Sequence, residues 1–471
     1  MASRQRMVPP LPHAAARSAP ALRACCLRVA LLLVSLRAAA AEASRVQFAI
    51  YENALYARVD GSIEDRAYTT LMHLLTLVTK YPAVLEHAPP PADATATVTF
   101  THASAAAAHE PHGAHAAALR LARVPLAVHG TIGGCMSDWW DSPPPAQLPN
   151  GSVAFSFWRP SGVGNNVTRL LPDHDVAGWA VAWTPPMSLV ARELAAASAP
   201  PFGWSSRVPF AMWTGAVSGD WRRSFVACAA KAPGMLVADI VSWGQMREQH
   251  STPGEPLLSA PGEPPGGRGT LKPLAADLRK LTRYKFLVYL PGNTWSSSLK
   301  RMALAGGLLF MPRENPHESL ASQLLTHACG EDILWYDGPD PEAMCASMQP
   351  QVEALQADDA DAELRAARFA ACARNVLSDH RLDAATLLTL HEAAEAQQGA
   401  GAPPFPLEML DRDANASFSL ARGKLTRIDG CADMKRRWAA QVGETYGWQV
   451  DAWYDNDCGV RAGNYLRYTA L

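Results

Sequence analysis

Trp295-Ser296-Ser297-Ser298-Leu299-Lys300 places a run of hydroxyls and one ammonium within a short turn. Hydroxyls and free backbone N–H groups at a helix start, with a lysine one turn in, form an anion site suited to phosphate. A plain capped helix in an ordinary parallel α/β domain uses the same residue types. A second group lies upstream: Pro209-Phe210-Ala211-Met212-Trp213-Thr214-Gly215, then Asp220-Trp221-Arg222-Arg223 and Cys228. Gly215 lets a backbone approach a ligand closely. Arg222 or Arg223 can grip a pyrophosphate with a bidentate fork. A strand, a turn and a surface arginine pair is the plainer alternative. In the third group, Ser137-Asp138-Trp139, a carboxylate is available to take a proton from a hydroxyl nucleophile. Asp141 competes with Asp138 for that role, and Asp138 can instead cap its own loop.

These groups need elements to hold them. Residues 286–290 are an apolar run that predicts a buried strand. Pro291-Gly292-Asn293 is turn chemistry, 299–305 is helix-forming with a serine able to cap it, and Gly306-Gly307 can stop that helix before a strand at 308–311. Upstream, 46–51 and 54–59 predict a short β meander with a turn at Asp60-Gly61. Residues 66–80 predict a helix with Leu71, Leu74, Leu75 and Val78 on one face. Residues 126–128 predict a strand leading to Gly133. Residues 141–175 read as a long connection and 190–197 as a helix. Residues 250–270 read as a Pro/Gly/Ser-rich insertion, followed by an amphipathic helix at 274–281. Further helices are expected at 319–328, 361–377 and 382–397, with a linker at 399–406 and an unassigned polar, aromatic segment from 407. Alternating strands and helices with Gly turns predict an α/β chain of two Rossmann-like halves.

A chain of 471 residues, 48% hydrophobic, is too long for one ordinary core. Its net charge of −2 gives no basic field for nucleic acid. Residues 1–41 carry Arg4, Arg6, Arg17, Arg23, Arg28 and Arg37 and no acidic residue, with an apolar run at 27–36. A cleaved secretory signal is the first expectation, a single uncleaved membrane anchor the second and a transit peptide the third. Of nine cysteines, Cys25 and Cys26 fall in that segment. The others include no Cys-x-x-Cys pair, which argues against a zinc or redox motif. Cys431 and Cys458 are a plausible disulfide in a luminal protein. Sequons at Asn150, Asn166 and Asn415 fit the same route. His102, His109, His112 and His115 sit in an alanine-rich stretch and read as a solvated loop.

The Trp295–Lys300 run, preceded by Tyr284-Lys285-Phe286-Leu287, resembles the donor-binding segment of family-90 glycosyltransferases, which include protein O-glucosyltransferases and capsule-associated xylosyltransferases. Animal members usually carry arginine where this chain has Ser298, and the plant-like branch has the serine. The Trp213–Arg223 stretch is similar to a second family segment, with Thr214 in place of a basic residue. Ser137-Asp138-Trp139 is similar to the segment carrying the general base, with Trp140 where proline is usual. Pro172-Asp173-His174 is similar to a Pro-Asp-Trp segment useful mainly for alignment. Glu331 and Asp332, on the strand after the donor helix, receive no role.

The resemblance implies a GT-B-like fold with an interdomain cleft. It implies an inverting, metal-independent enzyme without a cofactor that moves glucose or xylose from a UDP-sugar to a hydroxyl of a protein or glycan. Asp138 would be the base. Gly215, Arg222, Arg223, Trp295, Ser296, Ser298 and Lys300 would bind the donor. The expected layout is a signal or anchor at 1–43, an acceptor-side domain at 44–205, a donor domain at 206–380, a helix packing back at 381–400 and an extension at 401–471. The secretory lumen is the expected location, or an organelle if 1–43 is a transit peptide. Two other readings stay open: a non-catalytic binding member of the same fold, and an unrelated hydrolase, for which no Gly-x-Ser-x-Gly elbow is present.

Overall fold

The computed structural model describes residues 45–52, 54–60, 66–81, 97–98, 119–120, 128–133, 153–162, 168–173, 176, 186–197, 203–240, 280–292, 294–398, 410–411 and 424–442. Asp138 and Asp141, the histidine group, the sequons, Cys458 and the segments 1–41 and 250–270 lie outside these residues.

The strands are β1 (Arg45–Tyr51), β2 (Ala54–Asp60), β3 (Thr97–Val98), β4 (Leu119–Arg120), β5 (Val128–Gly133), β6 (Val153–Ser156), β7 (Trp158–Pro160), β8 (Thr168–Leu170), β9 (Val208–Gly215), β10 (Leu236–Ile240), β11 (Tyr284–Val288), β12 (Leu308–Pro312), β13 (His317–Ser319), β14 (Leu334–Tyr336), β15 (Leu410–Asp411) and β16 (Leu425–Arg427). The helices are α1 (Arg66–Lys80), α2 (Met187–Ala197), α3 (Asp220–Lys231), α4 (Ser298–Leu304), α5 (Leu320–Cys329), α6 (Pro341–Ala357), α7 (Asp359–Val376), α8 (Asp379–Gln398) and α9 (Gly430–Val442). Among the described residues no helix is long and apolar enough to cross a membrane.

The first sheet is mixed, in the order β15-β16-β2-β1-β5-β6-β8. β1 pairs antiparallel with β2 and β5, and β5, β6 and β8 run parallel. Alternation along β1 puts Phe48 and Ile50 into one core and Ala49 into a smaller one. The larger core takes Leu71, Leu74, Leu75 and Val78 from α1, Leu387, Leu390 and Ala393 from α8, and Met434 and Trp438 from α9. The second sheet is wholly parallel, in the order β10-β9-β11-β12-β14. Its central strands are apolar on both faces, as a sheet covered by helices on each side requires. Helices α2 to α7 supply the rest of that core. A short antiparallel pair, β7 with β13, joins the two halves.

Several elements differ from expectation. Residues 141–175 are not merely a connection, for they hold β6, β7 and β8. Strands of three or four residues are too short to show a period. Residues 220–231 form a helix rather than a turn, burying Trp221, Phe225, Cys228 and Ala229 at helical spacing. α6 went unread because Pro350 lies inside it. Pro341 at its first turn and the Asp340 cap, which accepts from the N–H groups of Glu342 and Ala343, were the available signals. The segment from 407 contributes β15, β16 and α9, and β16 extends the first sheet beside β2. Disulfides link Cys228 to Cys345 and Cys329 to Cys372, so α3 is tied to α6 and α5 to α7. Cys431 is also disulfide-bonded.

Helix α8 is fastened to α1 by polar contacts. Asp383 accepts from Lys80 Nζ at 2.7 Å and from the Tyr81 hydroxyl at 2.9 Å. Nε2 of buried His73 lies 3.3 Å from the Thr386 hydroxyl. Burial pushes the His73 imidazole below its usual pKa, against the opposing pull of Asp383, and burial does the same to His391. A depressed histidine stays neutral in the fold, while the unfolded chain takes up its proton near pH ~6.5. The stability it allows is complete above that value and is lost as pH falls below it. Urea unfolding should show lower stability at pH 5.5 than at pH 7.5, and His73→Asn should flatten that slope. A slope identical in variant and parent would refute the assignment.

Candidate active site

The second sheet fixes where a ligand can sit. In chain order its strands run 2-1-3-4-5, so the winding reverses between β9 and β11. In such sheets the crevice lies outside the carboxyl ends of the two strands at the reversal. Those ends are Gly215 and the stretch from Tyr289 to Gly292. Gly219, at φ 78, turns the chain after β9 into α3. Arg222, in the first turn of α3, extends across this point.

Arg222 donates from Nη1 to the Ala216 carbonyl and to Ser218 Oγ, both at 2.9 Å, and from Nη2 to Ser296 Oγ at 3.3 Å. Its guanidinium lies over the Trp213 ring, 5.7 Å from the centroid. Two glycines make room for this arrangement. A Cβ at Gly292 would come within 3.1 Å of Nη2 of Arg222, and a Cβ at Gly215 within 2.9 Å of the Trp213 ring. Nε is buried without a partner, and among the described residues no carboxylate bonds the group. Burial lowers the Arg222 pKa to about 10, so the cation persists at neutral pH. Tyr289 is pushed up to about 12 by burial, and its hydroxyl accepts from the Ser296 N–H at 3.2 Å.

Ser296 and Ser298 meet at 2.9 Å between hydroxyls, beside Arg222. The expected serine cap is not made. Ser297 occupies the cap position but has helical angles, φ −63 and ψ −19, and makes no side-chain cap bond. Capping needs extended geometry there. Arg223, one residue on, points elsewhere: it pairs with Asp220 at 2.6 Å on the surface.

Lys300 is 1% exposed, and its ammonium contacts both oxygens of buried Asp173. The Trp295 indole N–H donates to Asp173 Oδ2 at 3.3 Å, and the ring stacks near Trp158. Lys300 is thus turned toward a carboxylate 127 residues earlier, not toward Arg222 and the serines. Asp173, read in the sequence only as an alignment point, and Tyr289, read only as strand, are the residues that hold the turn. Their polar groups in an apolar setting were the available signal. Among the described residues no cluster of His, Cys, Asp and Glu side chains suited to a metal ion is found.

Residues 161–378 match the family model described as glycosyl transferase family 90. Over these residues the chain is similar to that family. No curated protein matches the chain. The family-90 stretch contains Arg222, the 295–300 turn and Asp173 together. Glycosyl transfer is the general chemistry of that family.

The Lys300–Asp173 pair generates a stability prediction. Removing one partner of a buried pair leaves an uncompensated charge and costs about 3–5 kcal/mol, while replacing both by apolar groups is far milder. Lys300→Met and Asp173→Leu should each destabilise by about that amount in chemical denaturation. The double variant should be more stable than either. Additive losses would show that the pair is not coupled.

Proposed function

We propose that this family-90 chain is an inverting glycosyltransferase that takes a sugar, glucose or xylose, from a UDP-sugar and attaches it to a hydroxyl of a protein or glycan. The observation that carries this reading is Arg222: a buried cation at the switch point, bonded to hydroxyls and a carbonyl and to no described carboxylate. A buried charge without a counter-charge is costly, and a ligand anion removes that cost. A pyrophosphate supplies it, with Ser296 and Ser298 as neutral donors and Gly215 leaving room for the Trp213 ring against which the guanidinium lies.

In the reaction, the acceptor oxygen attacks the anomeric carbon as the bond from that carbon to the β-phosphate oxygen breaks. The acceptor proton passes to Asp138, and UDP leaves with its added charge facing Arg222. Attack opposite the leaving group inverts the anomeric centre. No metal is needed in this scheme, because the guanidinium and hydroxyls balance the leaving charge. Lys300 acts indirectly, holding the 295–300 turn through Asp173, and Trp295 anchors the same turn. The proposed arrangement is GT-B, with two Rossmann-like halves, the donor on the second sheet and the acceptor facing it from the first. Two disulfides in the described region fit an oxidising lumen, as does the basic, apolar start of the chain.

Arg222→Ala should weaken UDP binding in titration calorimetry by roughly 10- to 150-fold, the value of a charge-assisted contact of about 1.5–3 kcal/mol. Arg223→Ala should leave it unchanged. Equal effects would remove Arg222 from the role. A donor screen by UDP release tests the sugar. Asp138→Asn should cut transfer by about 10²–10⁴-fold with UDP affinity kept. Full transfer by that variant would exclude Asp138 as the base.

A further inference from the structure

Beside β9, on the side away from the switch point, β10 brings a carboxylate to the same end of the sheet. The register pairs Asp239 with Thr214 and Ile240 with Gly215, so Asp239 lies one residue before its strand ends. Its Oδ2 accepts from Thr214 Oγ1 at 2.8 Å and from Lys280 Nζ at 2.8 Å. Both bonds fall on one oxygen, and Oδ1 accepts none among the described residues. The side chain is 19% exposed and that of Lys280 22%, so the group is tied through one oxygen and partly open to solvent.

The position has a chemical meaning. When the first βα turn of a parallel sheet grips phosphates, the nucleoside extends over the end of the next strand. An acidic side chain there, about 20 residues on, takes the ribose hydroxyls. Gly215 and Arg222 occupy the first turn here, and β10 is the next strand. Asp239 follows Gly215 by 24 residues (239 − 215). A ribose offers two vicinal O–H donors, and a carboxylate with a free oxygen is their natural acceptor. Thr214 and Lys280 orient that carboxylate, and Lys280 offsets its charge near a polyanionic ligand.

We infer that Asp239 reads the ribose of the donor nucleotide, its Oδ1 accepting from the 2′- or 3′-hydroxyl. This rests on the nucleotide-sugar reading above and adds the residue that selects a ribonucleotide. The plainer alternative is a Thr–Asp–Lys tie that only joins β9 and β10 to the segment before β11.

Binding of UDP and of 2′,3′-dideoxy-UDP to the full-length protein separates these possibilities. The parent should bind UDP about 10-fold or more tightly than the dideoxy compound, as loss of a charge-assisted bond predicts. In Asp239→Ala that ratio should fall to about one. Asp239→Asn, of the same shape but a weaker acceptor, should give an intermediate ratio and guards against misfolding of the alanine variant. Thr214→Val, which removes one of the two contacts orienting the carboxylate, should lower the ratio by less than Asp239→Ala does. If Asp239→Asn and Asp239→Ala lower both affinities together and leave the ratio intact, the residue is a structural tie and the inference fails. If the parent binds neither nucleotide, the donor reading fails with it.

Discussion

The buried contact between Lys300 and Asp173 governs the geometry of this protein. Lys300 belongs to α4, whose Leu299 and Met302 lie in the core of the second sheet. Asp173 follows β8, an edge strand of the first sheet. Trp295 shares the carboxylate and sinks into the core of the first half, against Phe157 and Trp158. Drawing the two halves apart at this point would break the Lys300–Asp173 contact and the Trp295 N–H bond together. Either loss is more expensive than a few apolar contacts. The six residues from Trp295 to Lys300 are therefore pinned at both ends. The hydroxyls between them acquire a fixed position that loop residues rarely have.

Arg222 depends on that fixity. Its guanidinium is stacked on Trp213, and Gly292 leaves its rim uncrowded. The cost of burying it appears in the fall of its pKa to about 10. In the proposed reaction such an arrangement would be preorganised, with donors aimed before a ligand arrives. Helix α3 carries the arginine and is cross-linked to α6 through Cys228 and Cys345, which limits how far it can drift.

Much of this was legible in the sequence where periodicity is strong. Residues 66–80 form the expected helix with the expected buried face. The unit from 284 to 312 was read as strand, turn, helix and strand, and its boundaries shift by about two residues, the usual margin at fraying ends. Elsewhere a local signal misled: Pro350 hid a helix, and three short strands were too brief to register. The site divides along the same line. Residue types at 222, 296 and 298 were readable, but the choice between Arg222 and Arg223 was not. Adjacent helical positions point about 100° apart, and only the docking of α3 on its sheet decides which faces inward. The partner of Lys300 was equally hidden, since Asp173 becomes its neighbour only after two sheets have formed.

The order in which the larger core is assembled has a consequence for biosynthesis. That core begins with Val46 and Phe48 but is closed by Leu387, Leu390, Met434 and Trp438. The parallel sheet, by contrast, draws its core from residues 187–377. As the ribosome releases the chain, the first strands and α1 emerge long before α8 and α9, which complete their cover, and the later half can condense while the earlier one waits. Exposed strands in that interval invite aggregation or chaperone capture. Truncations between residues 378 and 438 should therefore damage the beginning of the chain more than the middle.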